Sequence, residues 1–309
     1  MIKHAATLTS ALALSLVSSA AFAQAQCTTV SFSDVGWTDI TTTTSATKQV
    51  LQALGYDVNV KVLSVPVTFA SLESDDVDIF LGNWMPSQEA AIRPYLDSGE
   101  IQSVGANLQG TKYNLAVPAY TYDKGLQTYE DIADFSDELE STIYGIEPGN
   151  EGNSYLVGLI DADEYNLGDF RVRESSEQGM LSEVQRHVDR KEDILFLGWE
   201  PHPMNANFDM RYVEGGEDFF GGEGEVYTVT RSGFVEECPN VGAFLQNLNF
   251  TLPMENEIMG KILDDGMDAD DASLEWMQAN PDLPLSWVDG VTTVDGGDAT
   301  AAVNELLAR

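Results

Sequence analysis

Three tryptophans stand in turns whose composition suits the rim of a cleft: Gly36-Trp37-Thr38-Asp39, Gly82-Asn83-Trp84-Met85-Pro86 and Gly198-Trp199-Glu200-Pro201-His202-Pro203. Each follows a strand-like run, so three indole faces can be brought to one place. An indole face attracts a cation by about 0.5 to 2 kcal/mol once water is excluded. A headgroup that spreads its charge over methyl groups and donates no hydrogen bond gains most from such walls, and three or four rings suffice for about micromolar binding. Asp39, two residues after Trp37, can add a full negative charge or accept from a ligand hydroxyl. Its other possible task is to cap the helix that follows. Trp276 and Trp287 lie in a helical C-terminal region and are expected in the core.

Enzyme chemistry finds little support. Beyond residue 26 the chain has two histidines, His187 and His202, and His187 is expected to face solvent on an amphipathic helix. No His/Cys group has metal-ligand spacing, no G-x-S-x-G elbow occurs and no phosphate loop is present. The glycine-rich stretch 215–224 carries Glu217, Asp218 and Glu223, which would repel phosphate. No catalytic residue, metal or cofactor is therefore expected.

The elements that must position these residues read as alternating strands and helices, an α/β architecture with mainly parallel strands. Residues 28–33 form a strand candidate, followed by a helix through Val50, Leu51 and Leu54 that stops at Gly55. Val58, Val60 and Val62 alternate as in a half-buried strand, 77–81 is a short apolar strand and 87–96 a helix. A second series begins after Gly110, with strands at 113–117, 142–146 and 193–198 and a helix at 128–135. Ser175 with Gln178 reads as a capping box ahead of a helix through Met180, Leu181, Val184 and Val188. Residues 226–230 are strand-like and 241–309 mostly helical. In open α/β sheets the carboxyl ends of strands line the ligand crevice, which places Trp37 and Trp84 from the first series opposite Trp199 from the second.

Residues 1–26 read as an export signal, with Lys3 and His4 ahead of an apolar stretch and small residues at Ala21, Ala23 and Ala25. Lipidation at Cys27 is the competing reading, for which Gln24-Ala25-Gln26 is a poor leader. In an exported chain the two cysteines, Cys27 and Cys238, are expected to pair. That pairing returns the chain to its starting lobe, giving lobe one from 27–111 plus 229–309, an inserted lobe from 112–228, and a hinge of two crossings. The formal charge of −36, from 51 acidic and 15 basic residues, disfavours nucleic acid and anionic membranes as partners. Acids spread along the whole chain suit a solvated surface in salty surroundings.

The runs Phe32-Ser-Asp-Val-Gly-Trp-Thr-Asp-Ile40, Phe80-Leu-Gly-Asn-Trp-Met-Pro86, Tyr144-Gly-Ile-Glu-Pro-Gly-Asn150, Glu174-Ser-Ser-Glu-Gln-Gly-Met180 and Phe196-Leu-Gly-Trp-Glu-Pro-His-Pro-Met204 closely resemble the choline-binding proteins of ABC transporters, within the larger glycine betaine and choline substrate-binding family. The resemblance implies a two-lobed, type II periplasmic-binding-protein-like fold and a four-sided aromatic box. Trp37, Trp84 and Trp199 match its tryptophans and Tyr113 its tyrosine; the bottom-up reading alone makes Tyr113 a core residue of a hinge strand. The same resemblance implies that Asp39 and Asn150 serve the hydroxyethyl end of choline. It also implies a monomer in the periplasm that captures choline by hinge closure and docks on an ABC permease in the inner membrane. One rival is a glycine betaine or carnitine receptor, whose ligand carboxylate would sit unfavourably beside Asp39 unless that residue is protonated. Others are a choline-ester hydrolase or choline-modifying enzyme, and a chemoreceptor.

Overall fold

The computed structural model describes residues 27–309, so the reading of 1–26 as an export signal lies outside it. Strand β1 (Thr29–Asp34) leads into helix α1 (Thr38–Ala53), β2 (Asp57–Val62), α2 (Val65–Glu73), β3 (Ile79–Met85) and α3 (Glu89–Ser98). β4 (Ile101–Pro118) carries the chain to β5 (Thr142–Tyr144), α4 (Glu151–Asp161), β6 (Arg171–Arg173), α5 (Glu177–Arg190), β7 (Leu195–Glu200) and β8 (Met210–Tyr212). β9 (Gly224–Arg231) returns it to the helices α6 (Pro239–Asn247), α7 (Leu252–Leu263), α8 (Ala269–Ala279) and α9 (Ala299–Leu307).

The strands follow the order β2-β1-β3-β9-β4-β7-β5-β6, with β8 paired to β4. The α/β class is as expected, but the mainly parallel sheet is not. β1 pairs in parallel with β2 and β3, and β5 with β6 and β7, whereas every pairing of β4 and β9 is antiparallel. Those two strands link the two parallel sets. Along β4 the partner changes from β9 to β7 between Thr111 and Lys112. All of β9 pairs with β3 and the first part of β4.

Local sequence explains the elements that carry the cleft. β3 (IFLGNWM) is buried on both faces except at Met85, as expected of a central strand that is a continuous apolar run. α1 is rich in threonine, a poor helix former, yet Thr42, Thr43, Thr44 and Thr47 are buried, so tertiary packing overrides propensity there. Gly55, at φ +95°, supplies the left-handed residue just past the helix end. Cys27 and Cys238 form a disulfide with Cα atoms 5.5 Å apart, so the Cys27 sulfur is not free to carry a lipid. Trp287 is fully buried against Phe250, and Trp276 is buried with its indole N–H donating to Glu257, both as expected for core residues.

Several local expectations need correction. Val60 and Val62 are exposed, because β2 is an edge strand whose outer positions face solvent; only Val58 is buried. The N-cap of α5 is Ser176, whose hydroxyl accepts from Gly179 N–H, rather than Ser175. The helix expected at 128–135 is present as a 3₁₀ helix over Tyr129–Phe135, capped by Thr128 and Asp131. His187 is partly buried, its ring edge against Tyr144 and its Nδ1 bonded to the Glu183 carbonyl, so it does not simply face water.

Candidate functional site

Residues from both strand sets converge on one small pocket. Its walls include Trp37, Asp39, Trp84, Tyr113, Asn150 and Trp199, all six of the residues singled out in the sequence. The space between them amounts to about 340 Å³, counted out to its open mouth. Trp37 is the N-cap of α1, Trp84 is the last residue but one of β3, Tyr113 lies on β4 just past the change of partner, and Trp199 is the last residue but one of β7. Tyr113 and Trp199 are direct cross-strand partners. The Tyr113 ring meets Trp84 edge-on at 6.3 Å between centroids and Trp199 at 6.5 Å. Each of Trp84 and Trp199 is followed by a residue in cis linkage to proline, Met85-Pro86 and Glu200-Pro201.

Polar groups fix the rings. The Trp84 indole N–H donates to Asp39 Oδ2 at 3.0 Å. Asp39 is not the N-cap of α1 but lies in its first turn, almost fully buried, and its Oδ1 has no partner. Burial, then the nearby charge of Glu177, pushes its pKa up to about 8 despite the Trp84 and backbone donors. Glu255 of α7 is pushed well above the carboxylate range by burial and by the nearby charge of Asp39. On the opposite side Asn150 caps α4, its Oδ1 accepting from Gly152 N–H at 2.8 Å and from the Tyr113 hydroxyl at 3.0 Å. A Cβ on Gly152 would come within 2.2 Å of that hydroxyl, so the glycine is what lets Tyr113 reach Asn150. Glu147 and Glu151 flank this corner, and burial raises both to about 7. No lysine, arginine or histidine lines the pocket among the described residues.

A second polar system joins the two sides beside the pocket. Glu177, the first residue of α5, accepts from the Thr38 N–H at 2.9 Å and the Thr38 hydroxyl at 3.0 Å at the start of α1. Its other oxygen meets His202 Nε2 at 2.8 Å. His202 Nδ1 accepts from Met204 N–H, which fixes the proton on Nε2 and makes the imidazole the donor to Glu177. Glu177 is 2 % exposed, and the hydrogen bonds to both of its oxygens meet the requirement that a buried polar group be paired.

Sequence reasoning left several contributors without a role. Glu177 and His202 stand inside the runs that carried the family resemblance, yet nothing in their spacing announced a bridge between distant segments. Phe220, in the acidic glycine-rich stretch, is buried with its ring 4.8 Å from that of Tyr113, and Phe219 stacks on Tyr155 at 4.4 Å. The pair Phe219-Phe220 within a polar loop was the available signal. Ser87, Gln88, Ile146 and Glu151 complete the lining.

Residues 28–279 match the substrate binding domain of ABC-type glycine betaine transport systems. Among solved structures, an ABC-transporter choline binding protein in complex with choline is 52% identical, with a TM-score of 0.89 over 92% of this chain and 99% of that one. An ABC-transporter choline binding protein in an unliganded semi-closed conformation is also 52% identical, with a TM-score of 0.85 over 92% of this chain and 100% of that one. The glycine betaine/carnitine transport binding protein GbuC of Listeria monocytogenes is 30% identical over 175 residues, covering 56% of this chain and 57% of that protein.

Proposed function

The chain belongs to the family of substrate-binding domains of ABC-type glycine betaine transport systems and has the type II periplasmic binding protein fold, and from this premise we propose that it captures choline for an ABC importer. The observation that carries the choice of ligand is the pocket's make-up: four aromatic rings, carboxyl groups of Asp39 and Glu151, and no cationic side chain. Such walls attract a trimethylammonium group through ring faces and through charge. A ligand carboxylate would find no lysine, arginine or histidine in the lining and would be repelled by Asp39 and Glu151 whenever these ionise, which disfavours betaine and carnitine despite the name of the Listeria relative.

Trp37, Trp84, Tyr113 and Trp199 form the box around the methyl groups, and Asp39 and Asn150 take the hydroxyethyl end. Lobe one comprises 27–111 and 229–309 and the inserted lobe 112–228, with β4 and β9 as the crossings. The box draws walls from both lobes, so ligand gains contacts on closure and shifts the population toward the closed form. The protein binds without catalysis, works in the periplasm after export, and delivers its cargo to a permease in the inner membrane. Titration calorimetry with choline, acetylcholine and glycine betaine tests the reading: choline should bind in the micromolar range or tighter and be recovered unchanged. Tighter binding of betaine would overturn the choice of ligand, and turnover of acetylcholine would overturn the assignment as a pure receptor.

A further inference from the structure

Gln88 lines the pocket, is 1 % exposed, and neither its amide nitrogen nor its amide oxygen has a partner. Two other buried amides are paired, Asn107 donating to the Leu81 carbonyl and the Thr228 hydroxyl and Asn153 tying Ile146 and Glu147 together, while Asn83 Oδ1, also without a partner, lies outside the pocket lining. A structural duty for Gln88 is also missing. It sits at the N-cap of α3 without a side-chain cap bond, and its backbone alone makes the turn, from its own N–H to the Trp84 carbonyl and from its carbonyl to Ile92 N–H. An amide removed from water and left unpaired destabilises the protein, so a group that must be paired only when the site is filled is a ligand contact. Two further polar atoms of pocket residues lack partners, Trp37 Nε1 and Asp39 Oδ1. Gln88 follows Trp84 by one turn, and Trp84 holds the other oxygen of Asp39.

We propose that Gln88 is a specificity-determining residue that reads the polar end of the ligand, its amide donating to the ligand hydroxyl oxygen while that hydroxyl donates to Asp39 Oδ1. The inference rests on the reading of the pocket as a quaternary-ammonium site. It predicts what the cage rings alone do not: discrimination between a ligand with the hydroxyl and one without it. A ligand hydroxyl offers one proton and two lone pairs, which matches one acceptor at Asp39 and one donor at Gln88. An esterified ligand oxygen keeps the acceptor but loses the proton, so Gln88 would retain its bond and Asp39 Oδ1 would not.

The test compares choline with tetramethylammonium, which has the same charged headgroup and no hydroxyl, on the wild type, Gln88→Met and Gln88→Glu. Folding of each variant is checked by thermal melting. In Gln88→Met the choline affinity should fall about tenfold, a typical loss for one buried hydrogen bond, with tetramethylammonium changed less than about twofold. Gln88→Glu adds charge that favours both cations, so its readout is the ratio of the two affinities, which should also fall. Equal changes for the two ligands, or an unchanged ratio in both variants, would overturn the role of Gln88. Failure of the wild type to bind either cation would instead overturn the proposed function.

Discussion

Replacing Asp39 by Asn isolates the contribution of its charge, since the amide oxygen still accepts from the Trp84 indole. A carboxylate about 5 Å from a bound cation is worth about 3 kcal/mol at an effective dielectric of about 20. The unliganded carboxyl has its pKa raised to about 8 by burial and Glu177, so at pH 7 it is mostly protonated. Ionising it there costs about 1.4 kcal/mol. Asp39→Asn should thus weaken choline binding about tenfold at pH 7 and about a hundredfold at pH 9, where the wild type ionises without cost. The sign follows from linkage. A cation lowers the pKa of its neighbour, so binding releases a proton, and wild-type affinity rises as pH climbs through about 8 and levels off above it. Glu147 and Glu151, raised to about 7 by burial, ionise in the same direction, so the variant keeps a shallower slope centred about one pH unit lower. Calorimetry from pH 6 to 9.5 in buffers of different ionisation enthalpy measures both affinity and proton release. An unchanged pH profile in the variant, or affinity that falls with rising pH in the wild type, would refute the reasoning.

Trp37→Ala, Trp84→Ala and Trp199→Ala should each weaken choline binding by about tenfold or more, the loss expected for a desolvated cation–π wall. Trp276→Ala, by contrast, should lower the melting temperature with little change in affinity, both effects being readable from tryptophan fluorescence. Gly152→Ala places a methyl on the Tyr113 hydroxyl and should cost about fivefold or more in affinity by pushing that ring off its seat; a wild-type titration curve would show that Tyr113 is not held there. Double replacement of Cys27 and Cys238 by Ser opens a link between residues separated by 211 positions and should lower unfolding stability by about 2 to 5 kcal/mol in urea. Binding by the folded double variant should stay within about twofold of the wild type.

Much of the site was legible because each tryptophan sat in a turn directly after an apolar run, where an α/β chain opens its cleft. Trp37, Trp84 and Trp199 could be placed that way from periodicity and turn residues alone. Tyr113 could not, for a tyrosine opening the strand expected at 113–117 looks like core, and only the change of partner at Thr111 and Lys112 along the longer β4 brings it to the pocket. Antiparallel pairing along β4 and β9 was likewise hidden, because an apolar strand has the same composition whichever way its neighbour runs. Glu177 and His202 were out of reach for a different reason. Their meeting with Thr38 joins positions far apart in the chain, and a single acid among 51 carries no mark of burial.

The Thr38, Glu177 and His202 bridge does not line the pocket, and it is made wholly of protein groups. Anything that pries the two sides apart must strip that carboxylate of its donors and let water back in around it. On the hinge-closure reading, unloading has its own threshold, separate from the grip of the aromatic walls and set by a clasp that lies outside the pocket lining.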